Sequence, residues 1–200
     1  MAALEVLQVV AVVCAVLYLV LVIRENTWCW PVALIGSLLS LVVVFDRKLY
    51  MDAALHLFYA AMAIYGWLQW VRGGERSSGV AICVWSWRRH AVAIAGILVG
   101  TVAFGALLEA RTDAALPYLD SFTTIAALVT TYMVAKKVLE NWIYWFVIDG
   151  ISVYLYVARE LFWFAGLFVG YLVLIVIGFR AWSREWRTSR IEAAAGSGAY

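Results

Sequence analysis

One stretch of the chain combines aromatic, acidic and hydroxyl side chains at helical spacing. It begins at Glu140 and runs into a long apolar segment. On a helix, residues three or four positions apart share one face, so five of these side chains form a stripe. The stripe consists of Trp142, Trp145, Asp149, Ser152 and Tyr156. Because membrane helices more often place small or aliphatic residues on a shared face, this stripe predicts the lining of a binding site.

The composition of the whole chain is that of a membrane protein. Of its 200 residues, 66% are hydrophobic and only 14% are charged. Apolar runs long enough to cross a hydrocarbon core of about 30 Å recur along the chain. Spans and short loops use nearly all of these residues, so no separate soluble catalytic domain is expected among them. The three cysteines lack CxxC spacing and only two histidines occur, so no metal site and no cofactor are predicted.

Seven membrane-spanning helices are predicted, which makes this an all-α polytopic membrane protein. Their approximate bounds are Leu4–Ile23, Trp28–Phe45, Leu49–Val71, Ala91–Leu108, Leu119–Ala135, Asn141–Val157 and Leu161–Trp182. A cytoplasmic linker at 73–90 and a frayed cytoplasmic tail at 183–200 are expected. Eleven basic residues fall on one side of this topology and four on the other. The positive-inside rule then places the N-terminus outside and the C-terminus in the cytoplasm.

Two parts of the sequence resemble each other. Sliding residues 159–182 onto residues 47–70 without a gap aligns several identical residues. The matched pairs are Arg47/Arg159, Leu49/Leu161, Ala53/Ala165, Leu55/Leu167, Tyr59/Tyr171, Gly66/Gly178 and Trp70/Trp182. Upstream, Asn26 and Trp30 pair with Asn141 and Trp145 once the spacing between the two blocks is shortened by three residues.

The repeat predicts two three-helix units, residues 1–72 and 111–182, joined by a connector helix at 91–110. Because one helix separates the two units, they are expected to run parallel across the membrane in a 3+1+3 arrangement. In transporters built from such repeats, the substrate site lies near the membrane midplane between them. The repeat therefore favours transport over other membrane functions.

Five short blocks carry a resemblance to a known family. They are Trp30-Pro31, Lys48-Leu49-Tyr50 with Asp52, Ile64-Tyr65-Gly66-Trp67-Leu68-Gln69-Trp70, Asp120-Ser121, and Glu140-Asn141-Trp142 with Trp145. Together they resemble the PnuC family of bacterial transporters of nicotinamide riboside and related vitamins. The resemblance implies a trimer in the bacterial inner membrane. It also implies facilitated diffusion of nicotinamide riboside, made one-way by phosphorylation of the substrate in the cytoplasm.

Eight residues are predicted to line the substrate site. They are Asn26, Trp30, His56, Tyr59, Asn141, Trp142, Trp145 and Asp149. Aromatic faces attract a flat pyridinium cation by about 0.5–2 kcal/mol, which suits Trp142 and Trp145. An ionisable group inside a membrane is costly and by default functional, which singles out Asp149.

Several of these residues have a plainer interpretation. Trp142 equally suits an interfacial anchor, and His56 suits a buried polar group that a neighbouring helix satisfies. His56 also stands where the family usually has Gln, which affects recognition of the carboxamide. Asn26 and Trp30 enter only through their repeat partners.

Other functions remain as alternatives. Thiamine is also a flat organic cation and is the second vitamin candidate. An enzyme is not expected, because HExxH and GxSxG motifs are absent, and the last span has no lysine for a retinal Schiff base. In a structural or signalling subunit, the stripe would only pack helices. The expected partners are a small vitamin or nucleoside, the lipid bilayer and further copies of the chain, without nucleic acid.

Overall fold

Long apolar runs bounded by charged or turn residues form the helices of this protein. The computed structural model describes residues 2–46, 50–72, 80–112 and 116–197. Within these ranges the chain forms seven helices and no β-sheet. They are α1 Ala2–Ile23, α2 Cys29–Asp46, α3 Tyr50–Arg72, α4 Trp87–Arg111, α5 Pro117–Ala135, α6 Asn141–Ala158 and α7 Phe162–Ser197. The predicted all-α fold class is confirmed.

Two helix bounds differ clearly from the prediction. Helix α4 begins at Trp87 rather than Ala91, and α7 continues to Ser197. The prediction of a frayed tail from Ser183 onward is therefore wrong for the described residues. The reason is local, because this segment is rich in Arg, Glu and Ala, which favour helices, and has no glycine before position 196. Residues 73–79 of the predicted linker and 198–200 of the predicted tail lie outside the described residues.

Several helices have the length and composition to cross a membrane. The qualifying segments are Val6–Ile23, Cys29–Asp46, Trp87–Arg111 and Phe162–Glu192. The other three helices carry more polar side chains, among them His56 in α3 and Asp149 in α6. Large apolar side chains such as Val92 and Trp163, 75% and 94% exposed, face outward, as expected where lipid surrounds the helices. The chain is a multi-pass membrane protein.

The helices group into two units, Met1–Ala81 and Ile82–Tyr200. In the first unit, α2 packs against both α1 and α3. In the second unit, α6 packs in the same way against α5 and α7, and α4 packs along α5. Short connections between consecutive helices favour such antiparallel neighbours. The 3+1+3 arrangement itself stays a prediction.

The internal repeat extends to the helix bounds. Four bounds in the first unit recur in the second unit 112 positions later, namely 23 and 135, 29 and 141, 46 and 158, and 50 and 162. The gapless alignment found in the sequence has this same offset, as Gly66 and Gly178 show. The three consecutive helices of each unit therefore follow one backbone plan without insertion or deletion between them.

The turns after α1 and α5 also share one conformation. Glu25 and Lys137, 112 positions apart, have positive φ values of 53° and 49°. The following amides reach back into the helix, with Asn26 N donating to Leu21 O and Val138 N donating to Met133 O, both at 2.9 Å. This pattern is a Schellman motif, which satisfies the last carbonyls of a helix.

In each unit, a tryptophan ring of one helix packs against a glycine of the next helix. In the first unit, the Trp30 ring lies against Gly66 and meets the Trp70 ring at 5.5 Å and 90°. In the second unit, Trp142 lies against Gly178 and meets the Trp182 ring at 5.4 Å and 88°. All four indoles are at most 3% exposed. We call each of these arrangements a Trp–Gly–Trp contact.

This repeated contact corrects one pairing made from the sequence. Trp30 was expected to correspond to Trp145 and Asn26 to Asn141, after a three-residue shortening. The structure instead places Trp142 at the position equivalent to Trp30, with the same offset of 112 that relates Gly66 to Gly178. The shortened pairing is wrong because the backbone turn between the paired helices has the same length in both units.

The Trp–Gly–Trp contact predicts a specific effect of one methyl group. A Cβ at position 178 would meet Trp142 Cζ2 at 2.6 Å, so Gly178→Ala should destabilise the protein by about 1–3 kcal/mol. Thermal unfolding in detergent should then shift several degrees lower. Gly170→Ala, on the same helix with nothing within 4 Å of its Cβ, is the control and should be neutral or stabilising. Equal melting temperatures for both variants would contradict this role.

Candidate functional site

The predicted site residues lie on different elements of the two units. In the second unit, Asn141, Trp142, Trp145 and Asp149 all belong to α6. In the first unit, Trp30 belongs to α2, His56 and Tyr59 to α3, and Asn26 to the turn between α1 and α2. Each unit therefore carries part of the predicted set.

Trp30 and Trp142 are packing residues in this structure. Each indole is 1% exposed and is enclosed by the Trp–Gly–Trp contact of its own unit. Asn141, immediately before Trp142, is fully buried, and its Nδ2 donates to Val138 O at 2.6 Å. Trp30 lies at the start of α2, and Asn141 and Trp142 lie at the start of α6. Neither indole has an exposed ring face.

Trp145 contacts a different neighbour from Trp142. It packs against an apolar cluster formed by Ile97 of α4, Ala126 of α5 and Ile148 of α6. Its ring is only partly buried, so some of its surface stays open. The single stripe predicted for α6 is thus divided, with Trp142 turned toward α7 and Trp145 toward α4 and α5.

Asp149 is a carboxyl group placed beside aromatic rings. It is 5% exposed, and the Tyr171 phenol of α7 is close enough to interact with it electrostatically. Tyr171 belongs to what we call the ring cluster, which consists of Tyr156, Phe164, Phe168 and Tyr171. Tyr156 stacks on Phe164 at 5.4 Å and 22° and lies 5.2 Å from Phe168. Phe168 meets Tyr171 edge to face at 5.4 Å.

Ser152, the fourth residue of the predicted stripe, forms a hydrogen bond within α6 itself. Its Oγ donates to Ile148 O at 2.9 Å. The hydroxyl therefore already has a partner one turn back, as is common for serine inside membrane helices. Asp149 is the acidic residue of this stripe, and it interacts electrostatically with Tyr171 of the ring cluster.

The first unit repeats part of this arrangement with different chemistry. His56 and Tyr59 meet at 6.0 Å and 69°, and their equivalents 112 positions later are Phe168 and Tyr171, which meet at 68°. Ser37, which is buried, stands at the position equivalent to Asp149. The imidazole of the first unit and the carboxyl of the second unit therefore occupy positions that are not equivalent in the repeat.

Asn26 has a local role in its turn. Its Oδ1 accepts a hydrogen bond from Trp28 N at 2.9 Å, which supports the turn that leads into α2. The residue is exposed, and its position is equivalent to Val138 rather than Asn141.

Three members of the ring cluster, Phe164, Phe168 and Tyr171, were not predicted as site residues. The gapless repeat contained a signal for one of them, because it aligns Tyr171 with Tyr59. Phenylalanines in an apolar helix give no such signal, since they are equally common in lipid-facing and packed positions.

The segment that precedes α4 is tied to the turn between α5 and α6. Cys83 forms a parallel bridge with Val138, in which Cys83 N donates to Lys137 O and Leu139 N donates to Cys83 O. Glu140 Oε2 accepts from Trp85 N at 3.3 Å, and Glu140 Oε1 lies 3.8 Å from His90 Nε2. His90 Nδ1 is 2.9 Å from the Tyr144 hydroxyl. We call residues 82–90 with these contacts the linker clasp.

His90 and Glu140 gave no clear signal in the sequence as partners, because they are 50 positions apart. Among the described residues, no group of three or more His, Cys, Asp or Glu side chains could hold a metal ion. The linker clasp is therefore a hydrogen-bonded contact between segments.

The model of a family described as nicotinamide mononucleotide transporter matches residues 5–184. The chain belongs to this family, the PnuC family. The nicotinamide riboside transporter PnuC of Escherichia coli strain K12 is 24% identical over 184 residues, covering 80% of this chain and 75% of that protein. The resemblance found in the sequence is thereby confirmed.

Another relative carries a different substrate in its name. The riboflavin/roseoflavin transporter RibM of Streptomyces davaonensis is 30% identical over 170 residues, covering 84% of this chain and 78% of that protein. A crystal structure of the vitamin B3 transporter PnuC matches with a TM-score of 0.72 and 25% identity, covering 91% of this chain and 82% of the other. Membership of this family of transporters is established, while the names of the relatives give different substrates.

The linker clasp predicts how fast Cys83 reacts. Burial raises the pKa of the Cys83 thiol, and the Glu140 carboxylate raises it further against a lowering by Arg89. Since the thiolate is the reactive form, alkylation by iodoacetamide at pH 8 should be slow. Glu140→Gln removes one negative charge, lowers the pKa and should speed alkylation several-fold, as measured by mass spectrometry.

Two further variants make this measurement specific. Glu192→Gln changes an exposed carboxylate on α7 and should leave the rate unchanged, while Cys83→Ser should remove the adduct. The difference between wild type and Glu140→Gln should shrink at higher pH, where both thiols are ionised. A rate for Glu140→Gln equal to that of wild type at pH 8 would contradict the assigned contact.

Proposed function

We propose that this protein is a facilitator that takes up nicotinamide riboside by diffusion through a substrate site inside the membrane. The observation that carries this proposal is Asp149, a buried carboxyl close enough to Tyr171 of the ring cluster to interact with it electrostatically. Nicotinamide riboside has a flat cationic ring and a ribose. A carboxyl group together with aromatic faces suits such a ligand, because the ring quadrupole and the negative charge both attract a cation.

Each part of the substrate has a suitable partner. The phenols of Tyr156 and Tyr171 offer both ring faces and hydroxyl groups, and Asp149 can offset the positive charge or accept a hydrogen bond from a ribose hydroxyl. Trp145 stays in the proposed site through its partly open ring. His56 and Tyr59 stay predicted substrate-contacting residues of the first unit, where they form a ring pair of their own. Trp30, Trp142, Asn141 and Asn26 act indirectly in this proposal, by fixing the helix starts.

The direction of transport is also part of the proposal. The family resemblance supports facilitated diffusion with trapping by phosphorylation in the cytoplasm. The excess of basic residues on one side supports a cytoplasmic C-terminus in a bacterial inner membrane. Assembly as a trimer is proposed on the resemblance alone.

Riboflavin is the second candidate, and one specific observation favours it. The riboflavin/roseoflavin transporter RibM has a higher identity to this chain than the E. coli nicotinamide riboside transporter, 30% against 24%. Phe168, at the position equivalent to His56, gives α7 an apolar ring on which a neutral isoalloxazine could stack. Riboflavin carries no positive charge, so its binding would not depend on the charge of Asp149. Thiamine, a cation, would share that dependence.

The two vitamins are separated by a change at Asp149. Asp149→Asn keeps the shape of the side chain and removes its charge, so binding of nicotinamide riboside should weaken by about 10- to 100-fold. Binding of riboflavin, if it occurs, should change little. Ser152→Ala, one turn along the same helix, is the matched control and should leave affinity unchanged. Calorimetry on purified protein with nicotinamide riboside, riboflavin, thiamine and nicotinamide provides the measurement.

Each result has a clear meaning. Saturable binding of the riboside that is lost in Asp149→Asn supports the proposal. Binding of riboflavin alone moves the substrate to the second candidate, and binding of thiamine alone keeps the cationic site with another vitamin. Absence of binding to all four compounds by folded protein contradicts a vitamin site in this chain.

A further inference from the structure

Helix α7 is longer than a membrane crossing requires. Its apolar part, from Phe162 to Phe179, spans about 27 Å at 1.5 Å per residue, close to the hydrocarbon thickness of about 30 Å. Arg180 follows at once, and the helix continues to Ser197. The part of α7 after Phe179 therefore begins at the boundary of the hydrocarbon and extends into the lipid headgroup region and beyond.

The basic residues of this extension lie on one side of the helix. Arg180, Arg184, Arg187 and Arg190 follow one another at steps of four, three and three residues, which confines them to an arc of about 120°. We call them the arginine stripe. Glu185 and Glu192 fall on the opposite side of the helix. All four arginines are exposed, and none forms an ion pair with another residue in the described ranges.

Aromatic rings accompany the basic residues at this end of the second unit. The Arg190 guanidinium lies 5.2 Å from the Trp186 ring. Arg88 lies 5.9 Å from the Trp87 ring, and Trp87 is 74% exposed. These helix ends lie together, because Trp182 of α7 contacts Trp142 at the start of α6 and the linker clasp holds the start of α4 there. Tryptophan with arginine at helix ends is typical of a membrane surface.

The opposite end of the second unit has a different charge pattern. There Arg159 Nη2 forms a 2.6 Å ion pair with Asp120 Oδ2, so its charge is already matched within the protein. Among the residues that the structure describes, the arginine stripe has no such ion-pair partner. Its charge is available for a ligand from outside the unit.

We propose that the arginine stripe binds the phosphate groups of anionic phospholipids in the leaflet at this end of the molecule. The guanidinium fork matches phosphate oxygens in pairs. Arg190 lies about 15 Å beyond Arg180 along the helix. A headgroup layer of about 6 Å and a screening length of about 8 Å together extend about 14 Å. Even with α7 upright, Arg180, Arg184 and Arg187 therefore lie within reach of the anionic surface, and Arg190 lies at its outer edge.

A lipid surface suits this stripe better than a dissolved anion or an acidic protein does. The stripe starts where the apolar part of α7 ends, so the phosphates of the leaflet are its immediate neighbours. The partly buried Trp186 ring and Ile191, 69% exposed, add apolar surface at the same helix, which dissolved phosphate would not use. The proposal does not depend on which vitamin is transported.

Amide hydrogen exchange of full-length protein in lipid nanodiscs tests this proposal. Exchange across residues 183–192 should be about tenfold slower in phosphatidylglycerol than in phosphatidylcholine, since each basic residue near an anionic surface adds to its binding. Replacing the three outer arginines together, Arg184→Gln, Arg187→Gln and Arg190→Gln, should abolish the difference between the two lipids. The matched control, Glu185→Gln with Glu192→Gln on the opposite face, should keep it.

The other possible occupants give different results. Equal exchange in the two lipids for wild-type protein would overturn the proposal, and so would a difference that persists in the triple glutamine variant. Protection by inorganic phosphate in phosphatidylcholine nanodiscs, to the same extent as by phosphatidylglycerol, would show a free-anion site instead. Protection in detergent that rises with protein concentration would show contact with a second copy. Vitamin binding measured on the triple variant should be unchanged, which keeps this test separate from that of the substrate site.

Discussion

The packing of each unit of this transporter depends on one contact, in which an indole ring lies against a glycine of the neighbouring helix. Within a bilayer, helices gain little from the hydrophobic effect when they associate, so close packing must hold them together. Gly66 and Gly178 allow Trp30 and Trp142 to lie directly on the neighbouring backbone. This contact also sets the rotation of α6, since an indole directed to α7 leaves Trp145 directed to α4 and α5. Asp149, on the same helix, lies close enough to Tyr171 of α7 to interact with it electrostatically.

Much of the fold could be predicted from the sequence, for physical reasons that particular residues show. Apolar runs determine where helices can exist in a membrane, so the seven helices were found with small errors at most ends. The gapless repeat identified Gly66 with Gly178 and Trp70 with Trp182, because glycine and tryptophan at a fixed spacing are informative even in biased compositions. The length of α7 was underestimated, because hydropathy shows where the apolar span ends but not where the helix ends.

The site was harder to predict than the fold. Helical spacing placed Trp142, Trp145 and Asp149 on one helix, α6, but spacing does not reveal which neighbouring helix each residue meets. The pairing of Trp30 failed because tryptophans are frequent in this chain, so a wrong register still matches some of them. The conformation of the turns at Glu25 and Lys137 could not be predicted from the sequence, because their positive φ values occur at residues other than glycine. The comparisons establish the family and leave the vitamin open, because the relatives' names give different substrates.

The constant spacing of the two units limits how such a chain can change during evolution. Adding or removing one residue within α7 would rotate everything beyond it by about 100° and carry Gly178 away from the indole that rests on it. Length changes inside these helices are therefore far more damaging than replacements. An ancestral duplication could accordingly diverge in chemistry while its geometry stayed fixed. Such divergence is visible at two pairs of equivalent positions. The first unit has Ser37 where the second has Asp149, and it has His56 where the second has Phe168.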